Sequence, residues 1–432
     1  MRRLKHIKPI SPVWVGVFAL VFLSACSPAV KYNWAQREQM EWLSGEPVRK
    51  RQGLKASCMD YKYYIPELSM YGGNLEKHIK MEFHVMNTSD STQNFREEEA
   101  YRFIAELIQS VNEGFEKNQQ MWLPLGNKTP VLPVKIRCVL YPDQRIPNDR
   151  GIYFHYDDSL YYFVSRGTNR NISDPAVIRR YKVRDSVLSV FMMPHHRDSI
   201  ASETYTPFES GIALSSGLKI AGIFENGKQN GWESRGLLAH ELGHALGLSH
   251  TWPGYDGCED TPAHTNCWNF SETPPCDSDV SNNLMDYNPY QTALSPCQIG
   301  KMHLNISRLN SAQRLITDPY WCSLDTLQNI IISEQQIWQG SRDISGHIRI
   351  KAGGSLELHC RVSMPPGGTI FIEPGGKLVL SDAWLHQACG SSWEGISIGK
   401  KGKLIGQVTV FGNVTIENCL NCPDFSSELQ KP

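Results

Sequence analysis

Residues 240–250 read HELGHALGLSH, and no other stretch restricts the fold of this chain so tightly. On a helix, His240 and His244 lie four apart, so both imidazoles project from one face toward a common point. Such neutral nitrogens suit a divalent transition metal, and three of them suit zinc best. Glu241 follows the first histidine and can stand beside the metal without ligating it. A carboxylate placed there can take a proton from water and later pass it to a leaving amine. Gly247 is where the helix should stop, because glycine accepts the left-handed conformation that ends helices. The chain can then turn and bring His250 back as a third ligand. A pair of core histidines without metal is the blander account, and it would leave each buried polar group in need of its own partner.

Flanking residues agree with a buried helix. Asn230 and Glu233 have the spacing of a capping box. Leu237, Leu238, Leu242, Ala245 and Leu246 supply an apolar stripe for the core. Downstream, NNLMDYN places Met285 and Tyr287 in a loop. The motif HExxHxxGxxH together with Met285 resembles the metzincin clan, and LGLSHTW, CEDTP and NLMDY together resemble its pappalysin family. The resemblance covers roughly residues 80 to 315 and is sharp over 232–297. It implies an α+β fold: a two-lobed, metzincin-type catalytic domain with a twisted mixed sheet and an active-site helix above the cleft. It also implies a zinc-dependent endopeptidase with His240, His244 and His250 as ligands, Glu241 as general base and acid, and Met285 as the turn methionine beneath the metal. Tyr287 would donate a hydrogen bond to the oxyanion; the alternative is a tyrosine packed under the site with a satisfied hydroxyl.

The chain opens MRRLKHIKPISPVWVGVFALVFLSAC, a basic start followed by the apolar run Val13–Leu23. That run is too short for a span of roughly twenty residues. Leu23, Ser24, Ala25 and Cys26 form a lipobox-like sequence, so residues 1–25 read as a lipoprotein signal peptide and Cys26 as the lipidated residue. Several acyl chains on one cysteine suffice for anchoring. Ser27 is no inner-membrane retention aspartate, which points to the outer membrane of a Gram-negative cell, with the protein facing outward.

An exported chain can form disulfides. Removing Cys26 from twelve cysteines leaves eleven, so at least one stays unpaired or joins another chain. Spacing alone leaves three connectivities open for Cys258, Cys267, Cys276 and Cys297; the family resemblance implies Cys258 with Cys276 and Cys267 with Cys297. Cys58 has two readings: a latency thiolate on the zinc, with Arg49–Arg51 before it as a cleavage site, or a disulfide with Cys138 or a C-terminal cysteine. The disulfide is preferred. Asp256, Glu259, Asp260, Asp277 and Asp279 crowd the same loop, where the resemblance implies calcium and where hard oxygen ligands would suit it; solvated acids are the equal alternative.

Composition is ordinary, with 41% hydrophobic and 20% charged residues and a net charge of −1. No basic patch calls for nucleic acid. Residues 26–75 read as a lipid-anchored tether and possible pro-segment, and 76–320 as the peptidase domain. His78–Met86, Val131–Leu140 and Ser186–Met193 read as strands, Phe95–Phe115 as a helix, and Ser210–Phe224 as a pair of short strands; the family resemblance implies that part of this pair is the edge strand that pairs with substrate backbone. Beyond residue 325, GHIRIKAGGSLEL from Gly346 aligns with GTIFIEPGGKLVL from Gly368, a period of 22 residues. A looser copy starts at Gly395, and Gly412 begins another. This predicts a short all-β, solenoid-like domain over 325–425, with Trp393 in a coil-breaking insertion; a sandwich of hairpins is the alternative. The expected partners are protein or peptide substrates, plus the membrane through the N-terminal lipid, with oligomeric state unspecified. The rivals are a non-catalytic adhesin binding matrix or glycans through its repeats, and a periplasmic processing peptidase.

Overall fold

The computed structural model describes residues 29–42, 56–66, 76–163, 172–215, 217–228 and 230–423. The signal-peptide, Cys26 and Arg49–Arg51 expectations fall outside these residues. Among the described residues, no helix is long and apolar enough to cross a membrane.

The first body is a mixed α/β unit. Lys77–Asn87 forms the long central strand of a six-stranded sheet. It pairs in parallel with Ile136–Leu140, Ile152–Tyr156 and Leu188–Met193. Gly217–Ala221 continues the sheet in parallel, and Ser210–Leu214 closes it as an antiparallel edge strand. The strand expected from Val131 starts only at Ile136: Pro133 lacks a backbone donor, and Lys135 is left-handed at φ 57°. Helix Glu97–Glu116 opens on three glutamates, which favour its positive N-terminal end, and buries Phe103, Ile104, Leu107, Val111 and Phe115. Against it lie Ile79, Met81, Phe83 and Val85 from the central strand and Leu238, Leu242 and Leu246 from the helix that carries the histidines.

The second body is built from four stacked turns, each giving one strand to each of three sheets. One ladder runs Ile330–Ile332, Ile348–Ile350, Thr369–Ile372, Trp393–Lys401, all parallel. A second runs Gln335–Trp338, Ser355–Leu358, Lys377–Ser381, Gln407–Phe411. A third runs Arg342–Asp343, Arg361–Ser363, Trp384–His386, Thr415–Ile416. Ile348 stands opposite Ile370 and Leu356 opposite Leu378, and these side chains share one buried core. Trp393 breaks no coil. It opens a strand and is fully buried, its indole N–H donating to Glu417 O at 3.0 Å.

Within the expected tether, residues 31–34 and 40–42 join this body as strands. Lys31–Trp34 adds antiparallel to the last strand of the first ladder, and Met40–Trp42 adds parallel to the last strand of the second. Both strands cover edges that would otherwise offer unpaired backbone groups. Cys58 is bonded to Cys360, so it is the disulfide partner of a C-terminal cysteine and not a latency thiol. The odd thiol is Cys138, buried within its strand. Tyr64 links these parts: its hydroxyl donates to Cys58 O at 2.7 Å and accepts from Ser341 N at 2.9 Å.

The two bodies meet through buried charge. Asp343 receives both Arg314 from the first body and Arg361 from the third ladder, at 2.6–3.1 Å. Arg361 also donates to Ser307 O at 3.0 Å, and Arg314 lies 3.8 Å over the Trp321 ring.

Candidate metal centre and catalytic cleft

The site helix spans Arg235–Ala245, preceded by a single 3-10 turn, Gly231–Ser234. Asn230 caps that turn, its side-chain oxygen accepting from Trp232 N, and its amide donates to Glu233 at 2.7 Å. The expected cap is therefore one turn upstream of the α-helix proper. Gly247 is left-handed at φ 93°, as the end of the helix requires, and the chain reverses there to return His250.

His240, His244 and His250 converge, with their Nε2 atoms 3.0, 3.1 and 3.3 Å apart in pairs. Leu284 O stands 2.7 Å from His240 Nδ1, and Leu248 O stands 2.9 Å from His244 Nδ1. A carbonyl accepts only, so both Nδ1 atoms carry hydrogen and both Nε2 atoms present lone pairs to each other. Facing lone pairs at this distance repel unless a cation sits among them. Tetrahedral zinc with Zn–N near 2.0–2.1 Å sets its nitrogens about 3.3 Å apart, so the donor set fits. Burial pushes His240 and His250 down to about 4 and lowers His244, which keeps all three neutral for ligation. His250 is further held by the Trp252 ring, stacked at 4.2 Å.

Glu241 is buried, with Oε2 unpartnered among the described residues. Burial pushes its carboxyl up to about 7, against a hydrogen bond from the Ala213 backbone. The edge strand thus lies directly over it. A Cβ added at Gly211 would stand 2.5 Å from Glu241 Oε1, so only glycine allows this approach. Gly211 and Ala213 stand two apart on this edge strand, opposite Ile220 and Leu218, and both line the cleft.

Beneath the helix, Met285 is fully buried, and a Cβ at Gly243 would meet its sulfur at 2.4 Å. Asn283 fixes the loop by accepting from Met285 N at 2.9 Å. Gln291 donates to Leu284 O and Asp286 O at 3.2 and 2.9 Å, which orients the carbonyl that His240 uses. Tyr287 is half exposed, its ring 4.9 Å from His250 and 5.8 Å from His240. Asp286 turns away from the histidines to bond Thr251 and, at 3.1 Å, His264. Burial lowers His264, but the Asp286 carboxylate outweighs it and raises the imidazole overall. These positions line or support a cleft of about 1620 Å³ between the edge strand and the loop of Met285. The sequence reading gave no role to Gly211, Asn283 or Gln291. Gly211 lies within the expected strand pair and Asn283 opens NLMDY, but only the fold shows that one passes over Glu241 and the other fixes the Met285 loop, while Gln291 belongs to no motif.

The cysteine pairing differs from the expectation. Cys258 bonds Cys297, and Cys267 bonds Cys276. Asp260 is the reason: it accepts from Cys297 N at 3.1 Å and Ser295 Oγ at 2.7 Å, which seats residues 258–260 on the start of helix Pro296–Ser307 beside Cys297. Cys267 and Cys276 then close a local loop. The calcium candidates are similarly committed: Asp256 bonds Thr261 and Cys258 N, Asp279 accepts from Thr265 N, and Asp277 accepts from Ser278. Among the described residues, no three carboxylates of Asp256, Glu259, Asp260, Asp277 and Asp279 converge within 4.8 Å.

A three-histidine centre with a buried carboxylate over which an open sheet edge passes defines the protein as a metallopeptidase. Residues 218–307 match the peptidase M43 family model, described as pregnancy-associated plasma protein-A. Two solved structures are similar. Mature mirolysin of Tannerella forsythia in complex with a cleaved peptide is 16% identical, with a TM-score of 0.38, and the match covers 55% of this chain and 94% of that one. Mirolysin in complex with compound 9 is 17% identical, with a TM-score of 0.38 and coverage of 56% and 96%. No curated protein matches the chain.

Proposed function

We propose that this metallopeptidase is a zinc endopeptidase that cleaves extracellular proteins, with His240, His244 and His250 holding the metal. The observation that carries the reading is the set of three Nε2 atoms within 3.3 Å, two of them forced to present lone pairs by the carbonyls behind them. Zinc, when bound, supplies a Lewis acid that polarises the scissile carbonyl and acidifies water. Glu241, buried and free at Oε2, takes the proton from the attacking water and delivers it to the leaving amine nitrogen. Tyr287 donates its hydroxyl hydrogen to the developing oxyanion. Gly211 and Ala213 hold the substrate backbone along the sheet edge. Met285 supports the metal floor.

The four stacked turns and their N-terminal cap read as a β-solenoid that acts as a spacer. With Cys26 lipidated, the chain would leave the outer membrane and enter the fold at the end of the solenoid capped by Lys31–Trp34. The test is digestion of an unbiased peptide library by purified protein. Chelation should abolish cleavage, and zinc should restore it while calcium does not. Cleavage that survives complete removal of metal contradicts the proposal.

A further inference from the structure

Exposed aromatic rings cluster on segments that also line the cleft. Trp268 is 61% exposed, Phe270 53% and Trp122 37%. Trp268 lines the cleft itself. Two residues on, Phe270 lies 5.8 Å from Trp122, and Tyr290 lies 5.0 Å from Trp122 and 6.1 Å from Phe270. Tyr290 also ties this group to the cleft wall: its hydroxyl donates to Asn269 at 2.7 Å, and its neighbour Gln291 lines the cleft.

This surface is held in place from three sides. The Cys267–Cys276 disulfide closes the loop carrying Trp268 and Phe270, and Ser271 N bonds Cys276 O at 2.9 Å. Asn282 accepts from Trp122 N at 2.9 Å. Large rings fixed in water by a staple lose little freedom when a ligand covers them, and a contiguous exposed apolar patch marks a binding surface. The three contributing segments, 119–125, 265–271 and 287–294, contain no charged residue, so nothing in them would select an acidic or basic side chain.

We propose that Trp268, on the same disulfide-closed loop as Phe270 of the Trp122–Phe270–Tyr290 cluster, is a specificity-determining platform that selects polypeptides carrying an aromatic or prolyl ring beside the scissile bond. Continuity with the cleft makes the substrate chain the occupant, since Trp268 lines the same cleft as the edge-strand residues Gly211 and Ala213 and as Glu241. The inference rests on the peptidase reading above and names its substrate class.

The experiment is a positional fluorogenic peptide library, cleaved by the full zinc-loaded chain, Trp268→Ala, Trp268→Phe and Glu241→Gln. Wild type should favour an aromatic or prolyl ring over alanine at one flanking position by about tenfold in kcat/KM. Trp268→Ala should bring that ratio near parity, mainly through KM, and Trp268→Phe should retain most of it. A ratio unchanged in Trp268→Ala, or no ring preference in wild type, overturns the platform while leaving Glu241-dependent cleavage intact. A Trp268-dependent preference for glycosylated over bare peptides also overturns it, by placing a sugar there. If wild type cleaves nothing, or no better than Glu241→Gln, the peptidase reading has failed and the platform falls with it.

Discussion

Glu241→Gln should lower kcat/KM for peptide hydrolysis by about 10²–10⁴-fold, the range that a positioned general base and acid contributes. The substitution keeps the shape of the side chain, so the fit under the edge strand at Gly211 persists. It also leaves the three histidines and their carbonyl partners untouched. Zinc content should therefore remain at about one per chain, with the folded protein indistinguishable by circular dichroism. Steady-state kinetics beside metal analysis makes the check. Loss of activity together with loss of metal would show that Glu241 acts on the site's assembly. Retained activity would remove it from the chemistry altogether.

The second large effect is on stability and lies far from the cleft. Asp343→Ala leaves the guanidiniums of Arg314 and Arg361 facing each other without their shared carboxylate. Burial alone would raise the Asp343 carboxyl, but the two guanidiniums hold it well below the usual range. Removing one member of a buried ion group costs about 3–5 kcal/mol, because the remaining charge stays desolvated. Breaking the exposed Glu113–Lys117 pair, whose lysine side chain is 70% exposed, should have a far smaller effect, because solvent screens it. Denaturant unfolding followed by tryptophan fluorescence measures both. Since Trp321 lies under Arg314 at the junction, Asp343→Ala should also uncouple the two bodies into separate transitions. Equal, small losses for the two variants would mean that the junction is held by other contacts.

The convergence of the three histidines was legible because its parts lie close in sequence: the three imidazoles and the carboxylate fall within residues 240–250, and Gly247 marks the turn between them. The repeat register was legible for a similar reason, since the glycine pairs at 353–354 and 375–376 keep the period of the flanking isoleucines and leucines. Features that depend on distant chain meeting were not. Lys31–Trp34 and Met40–Trp42 are too short to alternate recognisably, and their partners lie beyond residue 390. The pairing of Cys258 with Cys297 follows from where Asp260 seats its loop on a helix N-terminus, which spacing does not encode. Trp393 read as an interruption because its neighbours 387–392 break the repeat, yet the ring itself fills the core.

X-ray absorption at the zinc edge of the loaded protein tests the central claim most directly. Three imidazole nitrogens at about 2.0–2.1 Å, completed by a light-atom ligand and with no sulfur shell, is the predicted spectrum. His250→Ala should remove one imidazole from that shell. A sulfur shell near about 2.3 Å, or a spectrum indifferent to His250→Ala, would contradict the assignment of the metal to these three histidines.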